Sequence, residues 1–159
     1  MLWWYYQNKW RKSREQYAEQ AQRGTIATIA SCEAHFFVAR IYDTLSRGYE
    51  RLCDTLEDAN AVFDLELPAV CPWLIIAGQQ LRESVEKGAQ HSLKSGKDYE
   101  RGVEDGTVHA AVKGRRALWQ GEGGVHKDRW AFWELRLESL QSEGSLESAQ
   151  VKHALEAMK

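Results

Sequence analysis

The run LWQGEGGVHKDRWAFWELRLESL, from Leu118 to Leu140, decides the fold. Trp130, Trp133, Leu137 and Leu140 recur at i, i+3, i+7 and i+10, which is one face of an α-helix. Asp128 stands where a side chain can cap that helix by accepting from unpaired backbone N–H groups. Arg129, Glu134, Arg136 and Glu138 fall off the stripe and are expected in water. Each indole can remove roughly 150–250 Å² from water, so the two rings anchor a large share of a small core. Gly121, Gly123 and Gly124 form a turn that separates Trp119 from the helix. The chemistry of the stretch is packing, which outweighs its alternative use as an exposed aromatic cluster.

Working downstream, Ser145 can cap a last helix whose apolar side is Val151, Ala154, Leu155 and Met158. The short QSEGS turn folds that helix back on the tryptophan helix as an antiparallel hairpin. Upstream, Val70, Trp73, Leu74, Ala77, Leu81 and Val85 carry the cleanest periodicity of the first half. Pro72 suits a first helical turn, and Gly78 within the helix suits close approach of a neighbour. The preceding VFDLELP reads as an extended connector or a short helical turn ending before Pro68.

A helix over Thr25 to about Leu45 is predicted to be central, with Ile26, Ile29, Ala30, Phe37, Ile41 and Leu45 buried and Phe36 and Val38 widening its apolar arc. Gly48 interrupts. Tyr49, Leu52, Cys53 and Leu56 then continue at helical spacing to about Asn60. A first helix spans Leu2 to Gln22 and stops at Gly24, with Trp3, Tyr6, Trp10 and Tyr17 near one stripe. Trp4 and Tyr5 widen it further, so Trp3, Trp4, Tyr5 and Trp10 make a possible partner surface. The polar, glycine-punctuated residues 87–106 read as a surface loop or insertion, and Thr107 to Lys113 as a short helix ended by Gly114.

A chain of 159 residues favours one domain, 1–159, and can bury about two-thirds of its unfolded surface. Two prolines among many Ala, Glu, Leu, Gln and Arg tilt the class toward helix. A net charge of −2 exerts no long-range pull on nucleic acid or anionic lipid. No apolar run approaches the eighteen residues of a membrane span, and the aromatic start lacks the layout of a secretory signal. Cys32, Cys53 and Cys71 are odd in number and lack CxxC spacing. They point to buried free thiols in a reducing compartment, cytoplasmic or nuclear.

Signals for chemistry are thin. Cys32 and His35 lie one turn apart, but zinc needs three or four protein ligands and no second pair appears, so no metal site is assigned. SGKD at Ser95–Asp98 lacks the Ser or Thr that a phosphate-cradling loop places after its lysine. Arg115 and Arg116 before the glycine turn raise the idea of an anion site at a helix start, without the strand such sites follow. No nucleophile motif surrounds any Ser or Cys, and the five histidines are scattered. No catalytic residue and no cofactor is assigned.

The run from Leu118 to Lys159 resembles the C-terminal signature of a fungal helical family of unknown function, DUF3632. The matching parts are Trp119, the turn Gly121 to Gly124, Arg129, Trp130 and Trp133, and a closing helix near Met158. CPWLIIAGQQL, Cys71 to Leu81, is similar to that family's mid-chain helix. The likeness covers the second half of the chain. It implies an all-helical fold and carries no activity with it.

These readings combine into an irregular all-α domain of about six helices with a C-terminal helical hairpin and Trp73, Trp119, Trp130 and Trp133 as core anchors. The expected role is a non-catalytic module that binds another protein or itself. The alternative is a small-molecule protein or enzyme with an aromatic-lined pocket between helices and a buried polar group such as His35.

Overall fold

The computed structural model describes residues 20–88, 91–143 and 148–159. Among them it forms six α-helices and no strand: α1 (Gln20–Val38), α2 (Leu45–Leu56), α3 (Phe63–Glu86), α4 (Gly96–Glu104), α5 (Lys127–Ser142) and α6 (Ser148–Met158), with a 3₁₀ turn at Ala110–Val112. The fold is all-α. The first helix expected from Leu2 lies outside the described residues up to position 19, as do Trp3, Trp4, Tyr5, Trp10 and the expected cap Ser145.

Helix α3 is the hub, touching α1, α2, α5 and α6, and more than half of its 24 residues are buried. Val70, Trp73, Leu74, Ala77, Leu81 and Val85 form the inner stripe at the predicted spacing. Its start is helical, not an extended connector, and it does not end before Pro68. The helix begins at Phe63 and carries Pro68 and Pro72 inside it. Each ring removes an N–H that would donate four residues back, a cost of about 3 kcal/mol in an exposed helix. Here burial of Leu67, Ala69 and Val70 around the rings outweighs that cost.

Two glycines set the distance between helices. Gly48 does not interrupt α2 but sits buried within it, where an added Cβ would come 2.8 Å from the Trp73 ring. Gly78 faces α6 at the Ala157 carbonyl, 3.0 Å from an added Cβ. Helix α6 returns against α5 and α3 and buries Val151, Ala154, Leu155 and Met158 as the periodicity predicts.

Helix α1 departs most from expectation. It runs through exposed Gly24 without stopping, since a glycine there costs only about 1 kcal/mol against alanine. It ends at Val38 instead of near Leu45. Arg40 takes left-handed backbone at φ 57, its N–H donates to the Phe37 carbonyl at 3.0 Å, and the Ile41 N–H reaches Phe36 at 2.9 Å. That closure is the Schellman pattern, with arginine in the position glycine usually holds. Nor is α1 central: Ala30 and Ala34 are buried, but Cys32, His35, Phe36, Val38 and Ile41 are exposed. Of the three cysteines, only Cys53 and Cys71 are buried, and none of the three is in a disulfide.

Residues 87–106 do more than the loop the sequence suggests. Ser95 and Asp98 form a reciprocal capping box that starts α4, and Leu93, Ser95 and Tyr99 are buried. At α5 the cap position falls to His126. Asp128 lies inside the first turn, where its charge favours the helix dipole.

Candidate functional site

Helix α2 carries Glu50 and Asp54, and Glu57 follows as its C-cap, an acidic stripe at i, i+4 and i+7 beside the buried face of Tyr49, Leu52, Cys53 and Leu56. Three arginines from the second half of the chain close on it. Arg129 and Glu57 are both fully buried, with Nε donating to Oε1 at 2.6 Å and Nη2 to Oε2 at 2.8 Å. The Trp133 indole N–H donates to the same Glu57 oxygen at 2.7 Å. Arg116, also enclosed, bridges Glu50 and Asp54, and Arg115 donates to both Asp54 oxygens at 2.8 Å. Arg129, expected in water, is instead fully buried, and Arg115 and Arg116, weighed from the sequence only as a weak anion site, are taken up with it by the carboxylates of Glu50, Asp54 and Glu57.

The leftover donors of these arginines hold loops. Arg116 Nη1 and Arg129 Nη2 both donate to the Lys94 carbonyl at 3.0 Å, and Arg129 Nη1 donates to Gly124 at 2.6 Å. The Gly124 N–H closes the ring by donating to the Leu93 carbonyl at 2.7 Å. The 93–95 segment is therefore clamped to the glycine turn before α5. Arg116 is itself left-handed at φ 56 and sits 5.5 Å from the Tyr99 ring, with Arg115 at 5.2 Å.

Electrostatics make this junction inert. Burial pushes the Asp54 carboxyl up, but Arg116 and Arg115 overcome it and hold the group below the ordinary carboxylate range. Burial also lifts the Cys53 thiol well above its usual value, with Glu57 adding to the rise against Arg116 and Arg129. Such a thiol stays protonated and is no nucleophile at neutral pH. The junction organises structure.

Two depressions mark the surface. One, of about 550 Å³, is lined by Gly88, His91, Ser92, Gly123, Gly124, Val125 and His126. His91 packs on the Tyr49 ring at 5.0 Å and lies 3.5 Å from Ser84 Oγ, while the Tyr49 hydroxyl donates to the Leu81 carbonyl at 2.8 Å. The second, of about 360 Å³, lies between the ends of α1 and α3, lined by Phe37, Val38, Arg40, Gln80, Glu83, Ser84 and Lys87. Among the described residues no tryptophan lines either; Trp73 and Trp133 are enclosed in the core and Trp119 and Trp130 nearly so. His35, offered as a pocket polar group, faces solvent.

Beside the second depression the surface turns apolar. Phe36, Val38, Ile41 and Tyr42 are 43%, 38%, 58% and 67% exposed, and Phe36 meets Tyr42 edge-on with ring centroids 6.2 Å apart. These are four of the seven exposed large hydrophobic residues among those described, gathered within seven consecutive positions. The other three, Val62, Ile75 and Leu135, are scattered along the chain.

A family model described as a protein of unknown function, DUF3632, matches residues 1–137. The chain belongs to the DUF3632 family. The match takes in the first half of the chain as well as the tryptophan helix and ends within α5, whereas the likeness read from the residues rested on the second half. For this DUF3632 chain, comparison with curated proteins and with solved structures gives no match. The described residues are all-helical, as the resemblance implied, and no helix among them is long and apolar enough to cross a membrane.

Proposed function

We propose that this DUF3632 chain is a non-catalytic helical module that binds another protein through the apolar shoulder at the end of α1. One observation carries the reading: Phe36, Val38, Ile41 and Tyr42 stand together in solvent while the rings of the core are enclosed. Grouped apolar side chains on a surface mark association sites, whereas single scattered ones are ordinary. The junction of buried charge supports a scaffolding role, because its titratable groups are consumed by one another. A net charge of −2 favours a protein over a nucleic acid as partner. Three cysteines outside any disulfide favour a reducing location, the cytoplasm or nucleus.

A photo-crosslinking side chain placed at Tyr42 tests the reading in cells. It should yield a discrete protein adduct that disappears when Phe36 and Ile41 are both changed to serine. The same group at Leu135, which is exposed but isolated, should yield none. Equal labelling at the two positions, or an adduct indifferent to the serines, overturns the proposal.

A further inference from the structure

We infer that the shoulder's partner is a second copy of this chain, docked about a two-fold axis that sets Arg40 against Asp43 of the partner subunit. The inference rests on the interaction reading above and adds the occupant. Residues Arg40, Ile41, Tyr42 and Asp43 are all exposed in sequence, so an apolar pair is bracketed by one cation and one anion. A two-fold contact is self-complementary: if one residue meets a second across the axis, the second meets the first. A patch bracketed in this way presents its own electrostatic complement to a copy of itself, giving two ion pairs around an apolar centre.

Neither charge is committed elsewhere among the described residues. The neighbouring charges are: Glu33 pairs with Arg47 and Arg51, Lys87 with Glu83, and Arg82 with Glu86. Arg40 and Asp43 form no such pair there, and Asp43 uses one oxygen to accept from the Leu45 N–H at 3.3 Å. Helix closure holds the backbone of Arg40 and Ile41, and the Leu45 contact holds Asp43, so the ordering cost on association falls mainly on side chains. Four apolar side chains per copy are few beside the roughly 20–30 residues a side of a standard interface, so the expected dimer is a weak one.

Sedimentation equilibrium of the full chain over a micromolar-to-millimolar series reads the result. The wild type should pass from monomer to dimer, and added salt should weaken the dimer. Replacing Ile41 and Tyr42 by serine should leave a monomer throughout. Arg40→Glu and Asp43→Lys should each weaken association roughly tenfold, and the two together should recover most of it. Asp43→Asn keeps the Leu45 hydrogen bond and removes the charge, so its loss of dimer, at unchanged far-ultraviolet dichroism, separates pairing from folding. A wild type monomeric throughout, a dimer unmoved by these changes, or a double reversal no better than the single ones overturns the inference. A monomer that still gives the position-42 adduct with a different protein overturns self-pairing and leaves the interaction reading intact; loss of both sinks both.

Discussion

Arg116 and Arg40 hold nearly the same left-handed backbone, at φ 56 and φ 57, in opposite surroundings. Around Arg116 the chain has brought three carboxylates and three guanidiniums together and left its loops no freedom. Around Arg40 it has left a cation, an anion and four apolar side chains in water. A strained conformation of this kind persists only where its neighbours impose it. At Arg116 the ion pairs and the Lys94 carbonyl do so; at Arg40 only the end of a helix does. The first region holds the fold together, and the second is free to meet something else. Substitutions should separate the two by size and by sign.

The largest effect is expected at Glu57. Glu57→Leu strands the buried Arg129 guanidinium and leaves the Trp133 N–H without its acceptor, so urea unfolding should show a loss of about 3–5 kcal/mol. Combining it with Arg129→Met removes the stranded charge and should recover part of that loss, though the Gly124 carbonyl then loses its arginine donor, while the Lys94 and Leu93 carbonyls each keep one other. A single-mutant loss below about 1 kcal/mol would show that the junction does not organise the fold. Arg116→Gly comes next. It relieves the left-handed strain but uncouples Glu50, Asp54 and Lys94, and because Glu50 and Asp54 are partly exposed and can hydrate, the net loss should be roughly 2–3 kcal/mol.

Gly48→Ala measures the core that the junction supports. Helix propensity favours the change by about 1 kcal/mol, but the new Cβ would stand 2.8 Å from an enclosed Trp73 ring. Overpacking of this kind costs about 1–3 kcal/mol, so the thermal midpoint should fall. Gly24→Ala, in an exposed turn of α1 with nothing within 4 Å, should raise it instead. If both substitutions shift stability the same way, close approach of α2 to α3 is not what Gly48 provides.

How much of this could be read from the sequence depends on the kind of interaction. The apolar stripes of α3, α5 and α6 were legible because burial writes a 3.6-residue period. The charge junction was not read, although part of its signal was present. Glu50, Asp54 and Glu57 repeat at helical spacing along the edge of α2's apolar face, and Ser95 with Asp98 has the spacing of a capping box. Their partners are Arg115, Arg116 and Arg129, some 60 to 70 positions away, and pairing at that distance leaves no periodicity. The end of α1 was hidden for the opposite reason. Apolar residues continue past Val38, and an arginine occupies the left-handed position where glycine would have announced the stop. The shoulder therefore read as core.

In acid the junction should show its charge. The folded Asp54 carboxyl lies below its unfolded value, near 3.9, so its contribution is complete above about pH 4 and is lost as pH falls through the folded value. Guanidinium melts between pH 5 and pH 2 should lose stability on that limb, and Asp54→Asn should flatten part of the slope. An unchanged slope would assign acid sensitivity to other carboxyls.

The smallest effect is the most discriminating, because it should carry the opposite sign. Arg40→Gly removes about 1 kcal/mol of left-handed strain at an exposed position and takes no ion pair from the described residues, so the monomer should become more stable by about that amount. The same change deletes the cation that brackets Ile41 and Tyr42, so self-association should weaken as the monomer strengthens. A residue retained only by helix closure would show the first change alone. A residue that held the fold as Arg116 does would lose stability. Only a side chain kept in a strained place for its contacts with a second molecule gives a more stable monomer and a weaker dimer at once.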